Sequence, residues 1–149
     1  MPEGATKMGV LYDYFAAPTD EAAATAIDGG PVGRFPTVET KSLDPAVVMG
    51  QLEELLTGRS YDEISDDPRC ADDIAIEHDG EVLVLTVTDG LRDVLADAGD
   101  LDEVAVRWAG IEELEGFDPK VLAEILKDLK ALAVQAKENG ERLYCWACV

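Results

Sequence analysis

The order of hydrophobic and polar residues predicts strands at both ends of the chain. From Val10 to Phe15, aromatic and β-branched residues recur with a period of two, which is typical of a strand. The last residues, RLYCWACV, are apolar on both faces of an extended segment, which indicates a central strand. Between the two ends, DIAIEHDGEVLVLTV predicts a hairpin with a two-residue type I′ turn at Asp79-Gly80, and TVETKSL predicts a brief strand.

Helices are predicted where apolar residues recur at helical spacing between capping residues. The longest begins at Asp118, ends at Gly140 and carries one continuous apolar stripe. Another lies between Asp44 and Gly58, and Gly50 inside it points to a close packing contact because glycine is otherwise unfavourable in a helix. Further helices are expected to begin at four capping residues, Thr19, Ser60, Asp89 and Asp100.

These elements and the chain length predict one domain. A chain of 149 residues has the size of a single domain, and it contains no internal repeat or low-complexity tract. We expect residues 1–7 to be a flexible leader and residues 8–149 to be a single α+β domain. Its mixed sheet is expected to include the N- and C-terminal strands and to pack against several helices.

Composition excludes several classes of protein. Hydrophobic residues make up 47% of the chain, which is too much for intrinsic disorder. No apolar run approaches the roughly 20 residues of a membrane span, and the N-terminus lacks the pattern of a secretory signal. We therefore expect a cytoplasmic protein that is not bound to a membrane, with reduced thiols on its three cysteines.

The net charge of −20 is the most unusual property of the sequence. Twelve basic residues stand against 32 acidic ones, and no basic patch is present to neutralise phosphates, so nucleic-acid binding is not expected. An acidic surface can keep a protein soluble in concentrated salt or follow from coding bias. It can also attract a basic protein partner, and this interpretation stays open beside the other two.

The cysteines near the C-terminus are a candidate chemical site. Cys145 and Cys148 are spaced like a redox or zinc motif, but no helix begins there to lower a thiol pKa. In a strand the two side chains project from opposite faces, so a buried strand is the favoured interpretation. Cys70 and His78 are the remaining soft ligands, and their scattered spacing predicts no metal site. No cofactor is expected either, because the glycine-rich nucleotide motifs are absent from the sequence.

Acidic and aromatic residues form the remaining candidate site. Asp13 lies between two tyrosines in the first strand, and if it is buried it needs a partner or a raised pKa. Trp108 and Glu112 are four residues apart and would be neighbours on one helix. A ligand pocket between the terminal strands and this helix would be lined by Tyr12, Asp13, Tyr14, Trp108, Glu112, Tyr144 and Trp146. The alternative is that these residues form an ordinary core.

Both ends of the chain resemble a family of small bacterial proteins. The stretches MGVLYDYF and LKALAVQAKENGERLYCW are similar to YfbM-like proteins, a family of unknown function. The resemblance implies a mixed α+β fold and carries no functional residues across.

Two hypotheses of function follow from the sequence. The first is a non-enzymatic interaction module that binds a partner with a basic surface, since the chain is strongly acidic and shows no recognisable catalytic set. The second is a small-molecule binder or enzyme that uses the neighbourhood of Asp13, Trp108 and Glu112.

Overall fold

The fold combines one sheet with several helices, as expected. The structure is a computed structural model, and it describes residues 10–149, so the predicted leader at residues 1–7 lies outside the described residues. Within the described part, five strands and six α-helices form an α+β fold. They are β1 (Leu11–Ala17), α1 (Asp20–Ala24), β2 (Thr37–Lys41), α2 (Val47–Thr57), α3 (Tyr61–Ser65), β3 (Asp73–Glu77), β4 (Val82–Thr86), α4 (Asp89–Asp97), α5 (Leu101–Trp108), α6 (Pro119–Glu138) and β5 (Arg142–Cys148).

The sheet places the two terminal strands side by side at its centre. The strand order is β2-β1-β5-β4-β3, so β5 is the central strand, as its pattern predicts. Every strand pair is antiparallel, so the sheet is not the expected mixture of directions. The long helix α6 runs back along the sheet before the chain turns at Gly140, whose positive φ of 68° favours glycine.

Both faces of the sheet are covered, which explains why β5 is apolar on both sides. Side chains alternate along a strand. Leu143 and Cys145 therefore join the main core beneath α2, α4, α5 and α6, whereas Tyr144 joins a smaller cluster on the other face. That smaller cluster packs against α1 and the 3₁₀ turn Thr25–Ile27 that follows it.

Most helix ends lie where the capping residues predict them. Thr19, Ser60, Asp100 and Asp118 each accept a hydrogen bond from a backbone N–H of the first turn. Asp44 likewise accepts from the N–H groups of three residues at the start of α2. The cap of α4 is an exception, because Thr88 fills this role one residue before the predicted Asp89.

The hairpin between β3 and β4 differs from its predicted form. Its last strand pair is Glu77 with Val82, which leaves a connection of four residues and not two. His78 and Asp79 adopt positive φ values of 56° and 55°, and Gly80 follows at 90°. The left-handed positions therefore begin one residue earlier than the Asp79-Gly80 pair indicates, because aspartate and histidine tolerate this conformation better than most residues.

Candidate functional site

The strand register separates the predicted site residues onto two faces of the sheet. Residues that are paired across antiparallel strands share a face. Tyr14 is paired with Cys145 and therefore faces the helices, and Tyr12 faces the same way. Asp13 is paired with Trp146, so both lie on the opposite face, together with Tyr144. The predicted site is therefore not one pocket.

Trp108 and Glu112 do not form the expected neighbours on one helix. Helix α5 ends at Trp108, and Glu112 begins a separate 3₁₀ turn beyond Gly110. Trp108 is fully buried in the main core, where its Nε1 donates a hydrogen bond of 3.2 Å to the carbonyl of Val48, whereas Glu112 is exposed. The prediction that these two residues are neighbours on one helix is wrong. The helix ends at Trp108, so it does not continue for the further turn that would bring Glu112 beside it.

The tyrosines on the helix side belong to the core. Tyr14 is buried, and its hydroxyl donates to the carbonyl oxygen of Leu43. Burial raises the pKa of Tyr14 well above its ordinary value. Tyr12 is half-buried against the same cluster. Both residues anchor β1 to the helices, which is the ordinary-core alternative for this part of the predicted site.

Asp13 is the predicted site residue with the most unusual environment. It is only 6% exposed, and among residues 10–149 its carboxylate has no hydrogen-bond or ion-pair partner. Loss of hydration, and then the neighbouring carboxylate of Glu39, raise the pKa of Asp13 from 3.8 to about 6. The sequence predicts that a buried Asp13 needs either a partner or a raised pKa, and the raised pKa follows from its burial.

Asp13 lines a groove beside the edge of the sheet. The groove has a volume of about 330 Å³, and it is lined both by β1 and β2 residues on the face of Asp13 and by the segment that begins α6, which covers the other face. Apolar residues contribute most of its wall, and Asp13 and Glu39 are its acidic residues. We call it the Asp13 groove, and its residues are Leu11, Asp13, Glu39, Thr40, Lys41, Phe117, Val121 and Ile125.

Among residues 10–149, no cation is paired with Asp13 or Glu39, the two acids of the Asp13 groove. Glu39 is paired with Asp13 across β1 and β2, so the two acids are direct neighbours. Lys41 lines the same groove but forms no ion pair with either carboxylate. Like charges placed directly opposite each other are unfavourable in a sheet. The groove therefore offers negative charge beside apolar surface.

Sequence reasoning identified Asp13 but missed its neighbours. Glu39 and Lys41 lie in the predicted brief strand, whereas Phe117, Val121 and Ile125 lie in or just before the predicted long helix. The register between β1 and β2 brings the acids together, and this register depends on contacts between distant parts of the chain. A stripe of Phe117, Val121 and Ile125 at helical spacing is the one local signal that a second apolar surface exists on α6.

The other aromatic residues of the prediction lie elsewhere on the same face as Asp13. The indole of Trp146 packs against Gly30, and its Nε1 has no hydrogen-bond partner in the described part of the chain. The hydroxyl of Tyr144 donates to Asp20 at 2.5 Å, and it lines a separate depression with α1 and the start of β5. Neither residue lines the Asp13 groove.

The cysteines have the arrangement that a central strand predicts. Cys145 and Cys148 project from opposite faces of β5, and all three cysteines are free. Cys145 is fully buried, and loss of hydration raises the pKa of its thiol well above the ordinary value. Across residues 10–149, no three histidine, cysteine or acidic side chains converge in a way that could hold a metal ion.

Comparisons with known proteins give no relative for this chain. No family model, no curated protein and no solved structure matches it. The resemblance to YfbM-like proteins therefore stays a prediction. Among residues 10–149, no helix is both long and apolar enough to span a membrane.

Proposed function

We propose that this protein is an interaction module that binds a basic protein by receiving one lysine or arginine side chain in the Asp13 groove. The observation that carries the proposal is Asp13, a residue that is only 6% exposed and whose side chain forms no hydrogen bond or ion pair with any of residues 10–149. Buried charges in proteins are normally paired, so an unpaired one at the wall of a groove marks a place where a ligand supplies the missing charge.

The attraction within one ion pair is sufficient to keep the Asp13 carboxyl group ionised. At a separation of 4 Å and an effective dielectric constant near 20, two unit charges attract by about 4 kcal/mol. Raising the pKa of Asp13 from 3.8 to about 6 reflects a cost of roughly 3 kcal/mol for its charged form. A bound cation therefore offsets the cost of ionising Asp13 and holds the carboxylate charged.

The rest of the groove fits the stem of a long basic side chain. Lysine and arginine carry an aliphatic stem that packs on apolar surface while the charged end reaches a polar partner. Phe117, Val121 and Ile125 provide such a surface, and Val121 is 51% exposed. A volume of about 330 Å³ lies at the small end of the range for ligand pockets, which suits a single side chain better than a large cofactor.

The charge of the whole chain favours a basic partner at longer range. A net charge of −20 attracts cationic surfaces and repels anionic ones, which raises the rate of encounter with a basic protein. This attraction is not specific by itself. In the proposed mode of binding, the overall charge brings the partner near and the Asp13 groove selects the side chain.

The proposal is tested with a short peptide that carries one central lysine, titrated into the protein at pH 8. The variant Asp13→Asn removes the buried charge with little change of shape, and binding should weaken by about tenfold or more. Glu103→Gln is the matched control, because it removes one negative charge from an exposed position on α5 outside the groove. Lys41→Gln should strengthen binding, because it removes the competing cation.

Three results would separate this proposal from its alternatives. The same peptide with acetylated lysine should not bind, since it lacks the charge. A blocked single lysine that binds as tightly as the peptide would identify a small amine as the ligand and a protein partner as wrong. Equal weakening by Asp13→Asn and Glu103→Gln would mean that only the overall charge matters, and the groove would then have no specific role.

A further inference from the structure

A second depression in the structure concentrates positive charge in this acidic chain. We call it the Tyr144 depression. It has a volume of about 450 Å³, and it is lined by Pro18, Thr19, Asp20, Glu21, Arg92, Lys137, Gly140, Arg142 and Tyr144. Three of the twelve basic residues of the chain line it, and Arg69 lies directly beside its Asp20 and Tyr144. One-third of all basic residues therefore meet at this place.

The fold brings these cations together from four separate parts of the chain. Arg92 lies on α4, Lys137 in the last turn of α6, Arg142 at the first position of β5 and Arg69 before β3. They meet because α6 turns at Gly140 directly into β5, beside the start of α4. Arg92 is fixed there by two hydrogen bonds of 3.0 Å, from Nε to the Asp93 carboxylate and from Nη1 to the carbonyl of Glu141.

The acidic residues next to Arg142 and Lys137 hold these two cations only loosely. Asp89 lies 3.4 Å from Arg142 and 3.8 Å from Arg92, and Asp93 lies 3.8 Å from Lys137. Strong charge-assisted hydrogen bonds between nitrogen and oxygen are about 2.7–2.9 Å long. Arg142 and Lys137 therefore keep N–H donors that the neighbouring carboxylates do not use fully, and these donors lie at the rim of the depression.

Asp20, one of the two acids in the wall of the depression, is already neutralised. Asp20 accepts a hydrogen bond of 2.5 Å from the hydroxyl of Tyr144 and another of 3.2 Å from Nη1 of Arg69. The Arg69 guanidinium also lies 5.5 Å from the centre of the Tyr144 ring, and its Nε and Nη2 are buried without hydrogen-bond partners in the described residues. With Arg69 opposite Asp20, the remaining charges of the lining residues are three cations and the carboxylate of Glu21, and Asp89 and Asp93 pair with these cations from outside the lining.

We infer that the Tyr144 depression is a second binding site, which takes an oxyanion, a phosphate or carboxylate group, through Arg92, Lys137 and Arg142. Arginine and lysine are the side chains that bind these groups best, and arginine can present two parallel donors to them. A preformed set of three cations, two of which keep spare donors, is unusual on a surface whose overall charge repels anions. This site is separate from the Asp13 groove and takes a ligand of the opposite charge.

The alternative is an ion-pair network that only joins β5 to α4 and α6, and a titration with inorganic phosphate distinguishes the two. At constant ionic strength, phosphate should cause saturable NMR shifts of the backbone amides around Arg142 and Lys137, at about millimolar concentration. Arg142→Gln should weaken this binding by about tenfold. Lys120→Gln is the charge-matched control at an exposed position of α6 outside the depression, and it should leave phosphate affinity unchanged within about twofold.

The remaining measurements make the outcome decisive. Lys137→Gln changes a side chain that is 40% exposed at the rim, so it tests the site even if Arg142→Gln unfolds the protein. Parallel titration with acetate identifies the group, since the tighter of the two anions is the preferred chemistry. Shifts that do not saturate, or equal weakening by Lys120→Gln, would overturn the inference and leave the cluster as a structural ion-pair network.

Discussion

Asp13→Asn should make the protein more stable at neutral pH, because it removes a buried charge that has no partner among residues 10–149. The pKa of Asp13 rises from 3.8 to about 6 on folding, and each pKa unit corresponds to 1.36 kcal/mol, so the charged form costs roughly 3 kcal/mol. Asparagine has nearly the same shape and stays neutral. We expect a gain of about 2–3 kcal/mol in the free energy of unfolding at pH 8, or about 5–10 °C in Tm for a domain of this size.

The gain should depend on pH in a defined direction. Well below pH 3.8, Asp13 is protonated in both the folded and the unfolded protein, so its ionisation costs nothing. Between pH 4 and 6 only the folded protein keeps the proton, and this contribution to stability is lost as the pH rises through the folded pKa of about 6. The charged groups that line the same groove are Glu39 and Lys41, and its α6 wall contributes only apolar side chains.

Urea denaturation of both proteins at pH 4.5 and pH 8 measures this difference. The stability gain of Asp13→Asn should be small at pH 4.5 and should reach its full size at pH 8. Glu103→Gln serves again as the control, since an exposed charge should change stability by less than about 0.5 kcal/mol at either pH. A loss of stability in Asp13→Asn at pH 8, or a gain that is equal at both pH values, would refute the reasoning.

Three further predictions concern the core. Gly50→Ala should lower the free energy of unfolding, measured in urea, by about 1–3 kcal/mol, because the new Cβ would lie 2.7 Å from Tyr61 Cε1. This loss should outweigh the better helix propensity of alanine, and a stabilised variant would contradict the close contact. Trp108→Ala should cost about 3–5 kcal/mol through the cavity it leaves, and a cost below about 1 kcal/mol would contradict its burial. In the native protein, a thiol reagent should modify half-buried Cys148 well before Cys145, because burial and a raised pKa protect the Cys145 thiol. Equal rates of modification of the two thiols would contradict a central position of β5.

The sequence predicts the central strand well because the necessary information is local. Strand β5 is apolar on both faces, and only a strand with neighbours on both sides and cover on both faces can bury such a segment. The caps of α2 and α6 are similarly local, since one side chain and a few backbone N–H groups decide where a helix begins. Gly50 is another example, because the cost of glycine in a helix points to a close contact, and Tyr61 supplies it.

The candidate site is harder to predict because it depends on register and on where one helix ends. The spacing of Trp108 and Glu112 places them together only if α5 continues, but the helix ends at Trp108 and Gly110 follows. The neighbours of Asp13 are set by the pairing of β1 with β2, which no short stretch of sequence encodes. Asp13 itself was predictable, because an acid between aromatic residues in a strand is conspicuous before its neighbours are known.

An NMR titration of the Asp13 side-chain carboxyl, without and with the lysine peptide, tests the central claim most directly. The proposed binding mode predicts a pKa of about 6 in the free protein, and a fall toward the ordinary value of 3.8 when the peptide cation lies beside the carboxylate. An Asp13 carboxyl that titrates near its ordinary value in the free protein would contradict its burial without a partner. A pKa that stays at about 6 when the peptide is saturating would show that the peptide cation does not bind at Asp13.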